Sequence, residues 1–239
     1  MKWIHGTYLK NRDIWLVQAK SGDSWMWKQI LKTRDKALFS NGGVDNLMQL
    51  INSCVNNSKV QMSVLYHALS ANSVPVPWYN TVWEGISYPK HSFLSWLAVQ
   101  NRLQTQDRLL KRGIITSNSC CLCTRAEENR DHLFFDCLFS SEVWLLVMDW
   151  LKFSWRSCVW NHIMNWYCYK LRGKGDRQKI KRMALSSTLY CIWIERNNRI
   201  FKNKFRNAVQ VFGEIKISML YIILNSTSLL DSRDWILSL

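Results

Sequence analysis

The sequence predicts a mainly α-helical protein, a small helical zinc-binding domain with flanking amphipathic helices. Three observations lead there. Only 3 prolines and 9 glycines interrupt 239 residues, so few positions break a helix. Apolar residues return at helical spacing over several segments, while strand-like patterns are confined to short pieces. Four cysteine and histidine residues at metal-ligand spacing interrupt that pattern near the middle. Hydrophobic residues at 48% and charged residues at 21% exclude the disordered and collagen-like classes. The length suffices for one large or two small domains.

Each element follows in order. Over residues 3–39 tryptophans mix with lysines, and Asp23 or Ser24 caps a helix through Trp27, Ile30 and Leu31. Asn41-Gly42-Gly43 is a turn signal, and the polar residues 52–59 read as a loop. The prolines of Val74-Pro75-Val76-Pro77-Trp78 force extended backbone, as does Tyr88-Pro89 before a helix that carries Phe93, Leu94, Leu97 and Ala98 on one face. Thr105 restarts a short helix through Leu109 and Leu110, and Gly113 ends it. Leu138, Val143, Trp144, Val147, Met148 and Leu151 form the next stripe. A longer helix returns Ile180, Met183, Ala184, Ser187, Cys191, Ile194 and Phe201 to one face, with Asn197-Asn198 weakening its end. Val209, Phe212, Ile215, Met219, Ile222 and Ile223 mark the last amphipathic segment. We expect an N-terminal Trp/Lys-rich region at 1–69, a zinc-binding domain at 70–152 and a basic helical region at 153–239.

The apolar run from Met219 to Leu224 is far shorter than the roughly 20 residues that span a bilayer. The first residues lack the apolar core of a secretory signal. The expectation is therefore an intracellular protein, not secreted and without a membrane partner. In such a reducing compartment its 8 cysteines are metal ligands or buried apolar groups rather than disulfides.

The most specific arrangement is Cys120-Cys121-Leu122-Cys123, eight residues, then His132-Leu133-Phe134-Phe135-Asp136-Cys137. A Cys-x2-Cys turn aims two thiolates at one ion, and a histidine with a third cysteine completes a tetrahedron around zinc. Four protein ligands leave no open position, so the expected cofactor is one structural Zn²⁺ that supplies folding free energy. The competing reading is buried cysteines beside a core histidine. We take Cys120, Cys123, His132 and Cys137 as ligands, while Cys121 offers a competing Cys-x-Cys arrangement. Five residues advance an ideal helix by about 140°, so His132 or Cys137 must lie at a helix end or on irregular backbone.

Here the residues carry a resemblance. Val76-Pro77-Trp78, Val82-Trp83, Pro89-Lys90-His91-Ser92-Phe93, Trp96-Leu97, Arg102-Leu103, Thr105, Asp107-Arg108-Leu109, the two ligand segments and Val143-Trp144 resemble the zinc-binding domain C-terminal to the reverse transcriptase of plant non-LTR (LINE-type) retrotransposons. Ser24-Trp25-Met26-Trp27-Lys28, Leu31-Lys32-Thr33-Arg34-Asp35 and Ile194-Glu195-Arg196-Asn197-Asn198-Arg199-Ile200-Phe201 resemble flanking blocks of such elements. The resemblance implies the same four ligands, a nucleic-acid partner (RNA or DNA), a reverse transcriptase supplied by another chain, and the nucleus before the cytoplasm. The stretch between Asn41 and Val74 is shorter than the family's, which marks a deletion.

Polymerisation needs paired carboxylates for two metal ions, and no Asp-Asp pair occurs. We therefore expect no enzyme. A zinc deaminase needs His-x-Glu, but His67 precedes Ala68-Leu69 and His91 precedes Ser92-Phe93. Gly173-Lys174-Gly175 lacks the spacing of a phosphate-binding loop.

Charge places the expected nucleic-acid contacts. Residues 170–206 carry a net +10 of the total +15, whereas residues 120–149 carry −4. The zinc loop is thus a brace, and the candidate phosphate contacts are Lys170, Arg172, Lys174, Arg177, Lys179, Lys181, Arg182, Arg196, Arg199, Lys202 and Lys204; the alternative is a solvated helix face. Among the 14 tryptophans, Trp25 and Trp27 beside Lys28 suit base stacking, whereas Trp83, Trp96, Trp144 and Trp193 sit on apolar stripes and read as core. The function expected is a zinc-stabilised, non-catalytic module from a retrotransposon polyprotein that assists template binding. The alternative is a vestigial or protein-interaction domain with the same zinc.

Overall fold

The computed structural model describes residues 4–70, 76–83 and 86–239. Val74-Pro75 of the expected extended stretch and Trp3 lie outside them. The fold is predominantly helical, as the sequence predicts, and divides into two compact units, residues 1–74 and 75–239.

In the first unit α1 (Trp25–Asn41) begins at Ser24, whose hydroxyl accepts from the Trp27 N–H at 3.3 Å. It ends at Gly42, whose φ of 73° lets Gly43 N–H reach back to the Leu38 carbonyl at 3.0 Å. α2 (Val44–Ser53) follows at once. The expected loop at 52–59 contains a hairpin instead: β1 (Val55–Asn56) pairs antiparallel with β2 (Lys59–Val60). Asn57 and Ser58 both adopt positive φ, 49° and 58°, the geometry that two-residue hairpin turns require. α3 (Met62–Ser70) completes the unit. Its small core joins Leu9, Val17, Trp27 and Leu31, and Tyr8 stacks on Trp27 at 4.7 Å. Trp27 is thus structural, while Trp25 is exposed.

In the second unit α4 (Tyr79–Trp83) and α5 (Pro89–Val99), with Pro89 in its first turn, lead to α6 (Gln106–Lys111). Thr105 stands at its N-cap and Gly113, at φ 68°, just past its end. α7 (Leu138–Trp150), α8 (Trp160–Asn165), α9 (Asp176–Lys202), α10 (Ala208–Asn225) and the short α11 (Arg233–Leu237) follow. α9 is the spine: α5, α7 and α10 all pack on it. One core runs through the unit from Leu94 to Ile236 and draws on both sides of residue 152, with Trp144, Phe134, Phe135, Tyr167 and Met183 among its largest members. Trp83 departs from the expected core role, standing 40% exposed. Phe201 is exposed as well, because it sits at the last turn of α9. α10 is long and apolar enough, by length and composition, to cross a membrane; Val211, Ile215, Met219 and Ile223 on one face are buried.

Three buried hydroxyls let α9 approach α5 closely. Ser186 and Thr188 donate to the Met183 and Ala184 carbonyls one turn back, at 2.9 and 2.8 Å. Ser187 Oγ lies 3.3 Å from Nδ1 of His91, which also stacks on Tyr190 at 4.2 Å. Burial, and secondarily the charge of Lys90, hold His91 down at about 4. The unfolded chain takes up this proton near pH 6.5 and the folded one only near 4, so stability is full above 6.5 and is lost as pH falls through that window. Acidification from pH 7 to 5 should cost about 2 kcal/mol through this residue. Urea unfolding of the wild type and of His91→Phe, which keeps the ring contact without the titration, checks it: the variant's pH profile should be flatter by that amount, and parallel profiles would refute it.

Candidate metal centre

The metal-ligand segments fold by separate local rules and meet at one point. The first is a knuckle. Cys120 N–H donates to the Ala126 carbonyl and Thr124 N–H to the Cys120 carbonyl, both at 2.8 Å. Ser119 and Glu127 form an antiparallel bridge at its base. The turn requires Thr124 at φ 56°, a left-handed conformation that costs a β-branched residue energy.

The second segment resolves the spacing problem that His-x4-Cys poses. Residues His132–Asp136 form a π-helical turn, closed by Cys137 N–H donating to the His132 carbonyl at 2.8 Å. An i+5 bond widens the turn, so residue 137 comes round beneath residue 132 instead of 140° away. Asn129 Oδ1 accepts from His132 N–H at 2.9 Å, and Ser140 donates to the Leu133 carbonyl at 2.6 Å. Cys137 is itself extended and stands at the N-cap of α7.

The ligand atoms of Cys120, Cys123, His132 and Cys137 all lie within 4.8 Å of one another. Cys120 Sγ is 4.0 Å from Cys137 Sγ, and Cys123 Sγ is 3.3 Å from His132 Nε2. Thiolates on a tetrahedral zinc at about 2.3 Å stand about 3.8 Å apart, so the donor set fits. Cys120 and Cys137 are fully buried and the other two half-buried. The two buried sulfurs are hydrogen-bonded: that bond, with burial, pushes the Cys120 thiol up, and the same bond pulls Cys137 down against burial, aided by the Ser140 and Phe139 N–H groups. Burial lowers His132, which favours the neutral imidazole that ligates metal. Cys121 points elsewhere. Its Sγ lies 3.7 Å from the Arg196 carbonyl, and burial, then the Glu128 charge, push it up to about 12.

Around this centre the structure redirects three of the expected nucleic-acid contacts. Arg196 is buried with Glu128, donating from its Nη2 to Oε1 at 2.8 Å and from Nε at 3.2 Å. Glu128 Oε1 also accepts the Gln106 N–H at the start of α6, at 2.9 Å. Arg199 donates to the Leu122 and Cys121 carbonyls of the knuckle at 2.9 and 3.3 Å. It also donates to Glu195 at 2.8 Å, and Glu195 accepts Arg206 Nε at 2.8 Å. Burial works against the Glu195 charge, yet these arginines hold its carboxyl below the usual range. Arg182 is buried and caps the Leu171 and Gly173 carbonyls at 2.5 and 3.0 Å. These three arginines brace the fold because the alternative, a buried charge without partners, is prohibitive. Lys179 pairs with Asp176 at 3.0 Å, and Lys181 reaches the Lys152 carbonyl at 3.4 Å over the Phe153 ring. Lys170, Arg172, Lys174 and Arg177 are exposed near the start of α9, Lys202 and Lys204 at its far end. Some 25 helical residues, about 38 Å, separate the two groups. Glu128, Asn129, Glu195 and Arg206 went unrecognised in the sequence; the Glu195-Arg196-x2-Arg199 run was the one signal that pointed to them.

Residues 61–144, which include all four ligands, match the family described as zinc-binding in reverse transcriptase. No curated protein and no solved structure matches the chain.

Proposed function

We propose, from the premise that residues 61–144 carry a zinc-binding domain of the reverse-transcriptase kind, that this chain is a non-catalytic module of a retrotransposon polyprotein. It resembles the plant non-LTR type. In this reading the ligand cluster holds one structural Zn²⁺, and the module helps a reverse transcriptase on another chain engage RNA or DNA, with the nucleus as its compartment by resemblance. The observation that carries it is the closed donor set: four protein ligands converge on one point, and a fully ligated zinc activates no water. When bound, the metal supplies folding free energy. Cys120 and Cys123 hold the knuckle to it, while His132 and Cys137 hold the entry to α7.

A net charge of +15 supports a polyanionic partner. With about three phosphate contacts on a single strand, affinity should fall about 10- to 20-fold between 50 and 200 mM salt. Fluorescence anisotropy with a labelled 20-nucleotide RNA measures this. Absent or salt-independent binding would sink the reading in favour of a protein-interaction module.

A further inference from the structure

We propose that the face formed by α4, the end of α5 and α6 binds single-stranded nucleic acid, with Phe93, Trp83 and Trp96 stacking on unpaired bases and Arg102, Lys111 and Arg112 meeting phosphates. This rests on the nucleic-acid reading above and assigns it a place and a strand class.

The aromatic half is a surface, not core. Phe93 is 53% and Trp83 40% exposed, and their rings stand 5.7 and 6.5 Å from that of half-buried Trp96. Apolar rings gathered in water are costly, and successive bases stack on such platforms whatever their sequence. The Arg102 guanidinium lies 5.6 Å from the Trp96 ring centre, so a cation borders the platform.

The cationic half adjoins it through the chain turn at Asn101, which has φ 50°. A cavity of about 200 Å³ lies between Asn101, Asp107, Arg108, Lys111 and Arg112, a size that suits a phosphate with its water rather than a nucleoside. Arg108 donates to the Asn101 carbonyl at 2.7 Å and Arg112 to Gln104 Oε1 at 2.9 Å. Both partners are neutral oxygens, so the side chains are positioned without loss of charge. The one carboxylate lining the cavity, Asp107, accepts the Thr105 hydroxyl at 2.5 Å. Lys111 and Arg112 are exposed. On α9, by contrast, five of the basic side chains are paired or turned inward, and the exposed ones lie apart at its two ends. The face of α4, the end of α5 and α6 joins exposed rings to exposed charge, the combination that single-strand grooves use.

The test uses the full zinc-loaded chain, labelled 20-nucleotide oligouridine and a 20-base-pair RNA duplex, with anisotropy at several salt concentrations. Phe93→Ala should weaken single-strand binding about tenfold, and Lys111→Gln should reduce the salt slope by about 0.7. Lys174→Gln/Arg177→Gln should change affinity less than twofold, and the duplex should bind at least tenfold more weakly than the single strand. Circular dichroism and zinc content confirm that each variant folds, which two exposed side chains make straightforward. Salt-dependent wild-type binding unaffected by Phe93→Ala and Lys111→Gln, or a preference for the duplex, would overturn this face and leave the function standing. No wild-type binding would overturn both.

Discussion

Cys137→Ser is expected to lose the single zinc per chain and, with it, the folded ligand loops; His132→Ala and chelation of the wild type should do the same. Structural zinc in small domains contributes about 10–16 kcal/mol, as much as the whole stability of many domains. Here the centre joins two segments at their polar ligand atoms, which the core around Leu122, Leu133 and Phe134 does not hold together. The knuckle is held by a short bridge between Ser119 and Glu127, and the second ligand pair rides on a π turn, an uncommon backbone form. Cys121→Ser should keep its zinc, since that sulfur faces the Arg196 carbonyl. Native mass spectrometry with circular dichroism measures both. A wild type that stays folded after chelation, or a Cys121→Ser protein without zinc, would contradict this geometry.

The second large effect concerns the Glu128–Arg196 pair. Both side chains are buried, at 0% and 3% exposure. Deleting one partner strands the other charge in the interior, which costs about 3–5 kcal/mol. Arg196→Met or Glu128→Gln should therefore lower stability by that order in urea unfolding at saturating zinc. The double variant should be more stable than the sum of the single losses, because no buried charge remains. Additive losses would show that the two residues act separately. The same experiment tests the placement of Arg196 as a brace rather than a phosphate contact.

Local chemistry was largely legible in the sequence. Ser24 caps where a serine before an apolar run should, Gly42 ends α1, and the four ligands converge as their spacing implies. The 140° mismatch of His132 and Cys137 even required irregular backbone, and a π turn provides it. What stayed hidden depends on partners distant in the chain. Arg182, Arg196 and Arg199 look like any basic helix face, because their carbonyl and carboxylate acceptors lie up to 92 residues away. Glu128 looks like an ordinary acid of a polar loop. Trp83 shares a stripe with core residues, yet a helix as short as α4 (Tyr79–Trp83) covers too little of it. The hairpin at 55–60 was missed because Asn57-Ser58 lacks the glycine that normally announces a tight turn.

The arginines that α9 extends to the knuckle set where the folding unit ends. The match to the family model stops at residue 144, whereas the oxygens of Glu128, Cys121 and Leu122 inside it are satisfied by side chains at 196 and 199. Motif and folding unit therefore end at different places. A piece cut at residue 144 would carry a knuckle whose buried Glu128 carboxylate has lost Arg196. The helix at 176–202 thus belongs to the folding unit, however little it contributes to the recognisable signature.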